Sequence, residues 1–142
     1  MNKTYILVAD QGRARLFLKM GATMPAREIE NYINTEGHRK TRDLVSDAPG
    51  RTHSSHPHPM TRENAAIEHH LQVFARDLVA SLDYHLYLNP NMDLVLICAP
   101  RLLGFIRSLL KPKLRKRIIK EIPKDITSWK LNAIDSFINE HS

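Results

Sequence analysis

Seven residues near the start, TYILVAD at 4–10, restrict the fold more than any other stretch of the chain. In an extended strand successive side chains point to opposite faces, and here both alternating sets are apolar up to Ala9. Such a strand needs cover on both sides, which predicts an interior place in a layered α/β sheet. LVLICA at 94–99 is apolar in the same way, stops at Pro100, and predicts a central parallel strand.

The elements between these two runs follow from periodicity. Gln11-Gly12 separates the first run from RARLFLKM (13–20), whose alternation predicts the second strand of a hairpin. REIENYI (27–33), with Ile29 and Ile33 alternating against Glu28, Glu30 and Tyr32, predicts a third, more exposed strand. Thr61 offers an N-cap, and Ile67, Leu71, Phe74, Leu78 and Leu82 then recur at helical spacing, flanked by Ala75, Val79 and Leu86. They predict an amphipathic helix of about 25 residues, broken at Asn89-Pro90-Asn91. Leu102, Phe105, Ile106, Leu109 and Leu110 predict a short helix ending before Pro112, and RIIKEI (117–122) a strand. Ser128 is placed to cap a last helix that buries Trp129, Ala133, Ile134, Phe137 and Ile138. The expected order is βββαβαβα, an α/β domain with a mixed sheet flanked by helices, as in ribonuclease-H-like architectures.

With 142 residues the chain is expected to form a single domain over 1–142, interrupted by a long loop at 34–60. Cys98 is the only cysteine, so there is no internal disulfide framework, and within LVLICA it reads as a small buried hydrophobe. The N-terminal apolar run is too short for an export signal, and no stretch approaches the length of a membrane span. A cytoplasmic protein is expected. Oligomeric state is not legible.

The net charge is +6, but its distribution is uneven. Arg101, Arg107, Lys111, Lys113, Arg115, Lys116, Arg117 and Lys120 fall within twenty residues that contain no acid, so the rest of the chain is slightly acidic. A surface that is merely soluble interleaves both signs, whereas single-sign patches favour phosphate partners. RNA is the first expectation and acidic lipid headgroups the second.

Two catalytic readings compete with this. His53, His56 and His58 stand as H-x-x-H-x-H, with His69 and His70 further on, and zinc accepts imidazole. Pro57 and Pro59 set the first three in a turn-prone loop without a supporting cysteine, so they are candidate ligands only and no bound metal is expected. Two-metal hydrolysis needs several converging carboxylates. Asp10 ends the first strand, yet Glu63 and Glu68 lie near the start of the long helix, and Asp93 precedes its strand. Asp10 is more simply a turn residue accepting backbone N–H bonds. No nucleophile elbow, Walker loop or dinucleotide fingerprint is present, and no cofactor is expected. Isolated Gly12 and Gly104 suit a turn and close packing.

VADQGRARLF (8–17), LVSDAPGR (44–51), FARDL (74–78), LVLICAPRLLGFIR (94–107) and PKDIT (123–127) together resemble the bacterial host attachment protein family. The matching positions include Asp10, Gly12, Arg13, Arg15, Ser46, Asp47, Pro49, Gly50, Arg51, Pro100, Gly104 and Arg107. That family is in turn similar to the middle domain of eukaryotic and archaeal peptide-chain release factors and of Pelota, which implies a βββαβαβα domain. Release factors carry Gly-Gly-Gln in the loop before the long helix. Here Pro49-Gly50-Arg51-Thr52-His53 stands there without glutamine, so release chemistry does not carry over. The expectation is a non-catalytic module that contacts RNA or the ribosome through Arg51, Arg107, Lys111, Lys113, Arg115, Lys116, Arg117 and Lys120. The alternatives are a metal-dependent hydrolase or nuclease using Asp10 and the histidine loop, and an adaptor with a protein partner in host-cell adhesion.

Overall fold

The computed structural model describes residues 3–34 and 62–141. Strand β1 (Thr4–Ala9) is the middle of a five-stranded sheet and is buried at every position. It pairs antiparallel with β2 (Arg13–Lys19), which pairs antiparallel with β3 (Arg27–Ile33). On its other side it pairs parallel with β4 (Asp93–Cys98), which pairs parallel with β5 (Ile118–Ile122). The spatial order is β3-β2-β1-β4-β5, a mixed sheet in a single α/β domain.

Both faces of β1 are covered, as its composition demands. Tyr5, Leu7 and Ala9 meet α1 (Arg62–Leu88) and α2 (Pro100–Leu109), in a core that includes Leu71, Phe74, Leu78, Leu82, Leu102 and Ile106. Ile6 and Val8 face the other way, onto Ile134, Phe137 and Ile138 of α4 (Leu131–Glu140). The helix predicted from Ile67 to Leu86 is thus present, with Ile67 and Val79 only partly buried at its margins.

Several local expectations are corrected. Leu109 is 40% exposed, and Leu103 fills the core position instead. A turn of helix, α3 (Pro112–Arg115), follows Pro112, where the periodicity showed none. Ser128 does not cap α4: the helix begins at Leu131 after Lys130, and the preceding turn is closed by Trp129 N–H to the Ile126 carbonyl at 3.0 Å. Trp129 lies before the helix and is half-buried, and Ala133 faces solvent. A Cβ on Gly104 would meet nothing within 4 Å among the described residues, so close packing does not require glycine there.

The third strand departs from simple alternation because the β2–β3 register shifts between Leu16 and Phe17. An extra residue on one strand reverses which side chains face which layer. Ile29 and Tyr32 therefore pack toward α1, and Ile33 is 59% exposed. Glu28 turns to the opposite layer, where its carboxylate accepts from Arg15 Nη2 at 2.7 Å and Nε at 3.1 Å.

That contact answers a problem posed by β2. Its second face is not a wet surface, since Arg15, Phe17 and Lys19 all point under α4 and are buried. A buried cation without partners costs several kcal/mol, so each is surrounded by acceptors. Arg15 Nη1 donates to the carbonyls of Thr127 at 3.0 Å and Trp129 at 2.7 Å. Lys19 Nζ donates to the Met24 carbonyl at 2.6 Å and lies 3.4 Å from Asp135, which also accepts from Ala26 N–H.

Arg117 plays a comparable part at the end of α1. Pro90 prevents the helix from continuing, leaving carbonyls without helical donors. The Arg117 guanidinium supplies them: Nη1 to Leu86 at 3.0 Å, Nη2 to Asn89 at 2.6 Å and Nε to Met92 at 2.8 Å. Three donors from one planar group fix the α1–β4 turn against the start of β5.

Arg117→Ala is expected to lower the free energy of unfolding by about 2 kcal/mol, and Arg117→Lys to recover little, because an ammonium does not reproduce the fork. Urea denaturation of both variants checks this. The Arg15 hydrogen bonds hold the Glu28 carboxyl below its ordinary value. A carboxylate depressed in the folded state stabilises above its unfolded pKa, and that contribution disappears as pH falls through the folded value. Glu28→Gln is therefore expected to be about 1 kcal/mol less stable than the parent at pH 7, with the gap narrowing as pH falls below the ordinary carboxylate range. A gap that stays constant as pH falls would contradict the ion pair's role.

Candidate functional site

The eight cations between Arg101 and Lys120 separate into two groups once folded. Arg101 lies 3.4 Å from Glu68, and Arg107 Nε donates to Glu121 at 2.7 Å. Arg117 is committed to the three carbonyls at the end of α1, and Lys120 Nζ donates to the carbonyl of His141. Lys111, Lys113, Arg115 and Lys116 remain. All four are exposed, and none has an ion-pair partner among the described residues.

These four share one rigid turn. Leu110 ends α2 in extended backbone, and Pro112, with its φ already suited to a helix start, opens α3. Leu114 and Arg115 N–H both reach the Lys111 carbonyl, at 2.9 and 3.0 Å, and Arg117 N–H closes on Leu114 at 2.9 Å. The Leu114 side chain is buried in the core beneath, so a single apolar anchor holds four cations outward. Because Lys111 and Leu114 also line a cleft of about 200 Å³ against α1, Arg76 joins the group from the opposite wall. Arg76 belongs to FARDL, one of the segments that carry the family resemblance. Asp83 is the one carboxylate lining that cleft.

Asp10 is placed by its hairpin as a turn residue. Its Oδ1 accepts from Gly12 and Arg13 N–H, both at 2.8 Å, and its Oδ2 from Thr127 Oγ1 at 2.8 Å. Thr127 Oγ1 is also 2.9 Å from Asp125. Two segments far apart in sequence, VADQGRARLF and PKDIT, are thereby locked together through Asp10, Arg15 and Thr127. Glu68 is paired with Arg101, and Asp93 lies at the opposite end of the sheet from Asp10. Among the described residues no three His, Cys, Asp or Glu side chains gather as a metal would require. Cys98 is buried, and burial raises its thiol far above the ordinary value, which suppresses thiolate chemistry.

His70 is half-buried and His69 exposed, with rings 5.9 Å apart. They border an open groove of about 740 Å³ between β3 and α1, with Tyr32, Asn34 and Asp77 also on its walls. The Ser46, Asp47, Pro49, Gly50 and Arg51 positions, the His53, His56 and His58 positions and the Thr61 cap fall outside the described residues. No helix among the described residues is long and apolar enough to cross a membrane.

A search of curated proteins finds no match. The model of one family, described as protein required for attachment to host cells, matches residues 5–137. That span runs from the second residue of β1 into α4 and includes the 111–116 turn and the Asp10–Thr127 lock, and the chain belongs to this host attachment family.

Proposed function

We propose that this protein is a non-catalytic module that binds a phosphate-rich polymer, RNA or the ribosome, through the turn at 111–116. The observation that carries the reading is four exposed cations on a braced turn without carboxylate partners among the described residues. Cations already neutralised by acids gain little from a phosphate, whereas free ones release the polymer's condensed counterions on contact. The turn is held from below by Leu114 and behind by Arg117, so binding orders little backbone. Arg107, Arg117 and Lys120, expected at first as contacts, serve this reading as supports: they hold Glu121, the end of α1 and the end of α4.

RNA is preferred to other polyanions because the resemblance to release-factor middle domains implies a ribosomal setting, which also suggests a cytoplasmic location. An attachment phenotype is then an indirect consequence of translation or RNA handling. Asp10, with both carboxylate oxygens occupied by the fold, gives the nuclease alternative little support.

The test is fluorescence anisotropy with an unstructured ten-nucleotide RNA across a salt series. Changing Lys111, Lys113, Arg115 and Lys116 together to Ala is expected to weaken binding at least about tenfold at 0.1 M salt. The slope of log affinity against log salt should flatten by up to about 2.8, at roughly 0.7 per lost phosphate contact. Unchanged affinity and slope, with circular dichroism showing an intact fold, would overturn the reading. Capture of a protein partner insensitive to nuclease, with no RNA binding, would support the adaptor alternative.

A further inference from the structure

On the α4 side of the sheet, where β5 ends, a groove of about 500 Å³ opens beside Trp129. Its walls combine features that a packed core does not need. Trp129 is half-buried and meets Phe137 edge-on at 5.7 Å and 88°. Phe137 is stacked in turn on His141 at 4.0 Å and 29°. The Lys124 ammonium lies over both rings, 5.2 Å from Trp129 and 5.1 Å from Phe137. No carboxylate pairs with Lys124 among the described residues, although Glu140 and Ser136 also line the groove.

The platform is built to stay in place. Trp129's carbonyl accepts from buried Arg15 at 2.7 Å and its N–H donates to Ile126 at 3.0 Å, so the backbone beneath the indole is fixed from two sides. Lys124 N–H donates to the Ile122 carbonyl at 2.9 Å, which holds the lysine's base at the lip. A rigid aromatic face next to a free cation suits a ligand with a flat ring on one part and a phosphate on the next.

Resting on the RNA reading above, we infer that this groove takes one unpaired base of the same strand. The base stacks on Trp129 in place of the Lys124 ammonium, and Lys124 turns to the adjoining phosphate. A cation over the half-buried Trp129 ring is the weaker of the two contacts, since base–aromatic stacking buries more apolar surface. Glu140 and Ser136 then face the base edge, with the phosphate on the Lys124 side. The two sites also connect. β5 is an edge strand of five residues, about 16 Å long, which runs from just beyond Lys116 to just before Lys124. A single strand following this edge reaches both. A duplex, whose bases are stacked on each other, offers none to Trp129.

Trp129 is the only tryptophan in the chain, so its fluorescence reports the groove directly. Titration with the unstructured ten-nucleotide RNA is expected to quench it by at least half, and a duplex of equal charge to leave it nearly unchanged. Trp129→Ala should weaken binding about tenfold without altering the salt slope, because stacking releases no counterions. Trp129→Phe should retain most of the affinity. Lys124→Ala should flatten the slope by about 0.7. If the RNA binds the wild type with the expected salt dependence while Trp129 fluorescence stays unmoved, the groove inference falls and the reading of the 111–116 turn stands. If the wild type does not bind RNA at all, both fall.

Discussion

The burial of β1 on both faces governs the rest of the molecule. A strand with no solvent side requires two covering layers. α1 and α2 take one face and α4 the other. The second layer spans β2 as well, so cations on β2's outer face are enclosed. Desolvating Arg15 and Lys19 is tolerable because backbone carbonyls and the carboxylates of Glu28 and Asp135 surround them. The bulge in β2–β3 serves the same end, since it turns Glu28 to the layer where Arg15 lies.

The positive charges of this chain therefore perform distinct tasks that composition alone does not separate. Arg15, Lys19 and Arg117 are structural donors to carbonyls left over by strands, turns and a helix end. Arg101 and Arg107 are neutralised on the surface by Glu68 and Glu121. Among the described residues Lys111, Lys113, Arg115 and Lys116 have neither use, and they stand where the chain makes one braced turn between α2 and β5. On the proposed reading, a phosphate polymer would meet its counter-charge there without first breaking an ion pair.

Much of this was legible from residue order. Apolar character on both faces of 4–9 and 94–98 placed β1 and β4 inside the sheet, and spacing along 71–86 defined α1. Asp10 was recognisable as a turn residue because it follows a strand and precedes Gln11-Gly12. What periodicity missed depends on register and on single partners. A one-residue bulge moved Tyr32 inward and Ile33 outward. Ser128 has the chemistry of a cap but lies two residues before the position the helix uses. Trp129, read as core by its spacing to Phe137, forms instead a half-exposed wall, because the helix begins after it. Arg117 looked like its basic neighbours, and only the carbonyls at the end of α1 distinguish it. Arg76, on another helix, meets Lys111 only in the folded chain.

The central claim is that the free cations of the 111–116 turn are where a phosphate polymer docks. Amide chemical-shift mapping of isotope-labelled protein with the unstructured RNA tests it residue by residue at low salt. The account predicts that the largest changes fall on Lys111 to Arg117, extend along β5, and fade as salt is raised. Changes centred instead on the groove between β3 and α1, or none at the turn while RNA is bound, would contradict it.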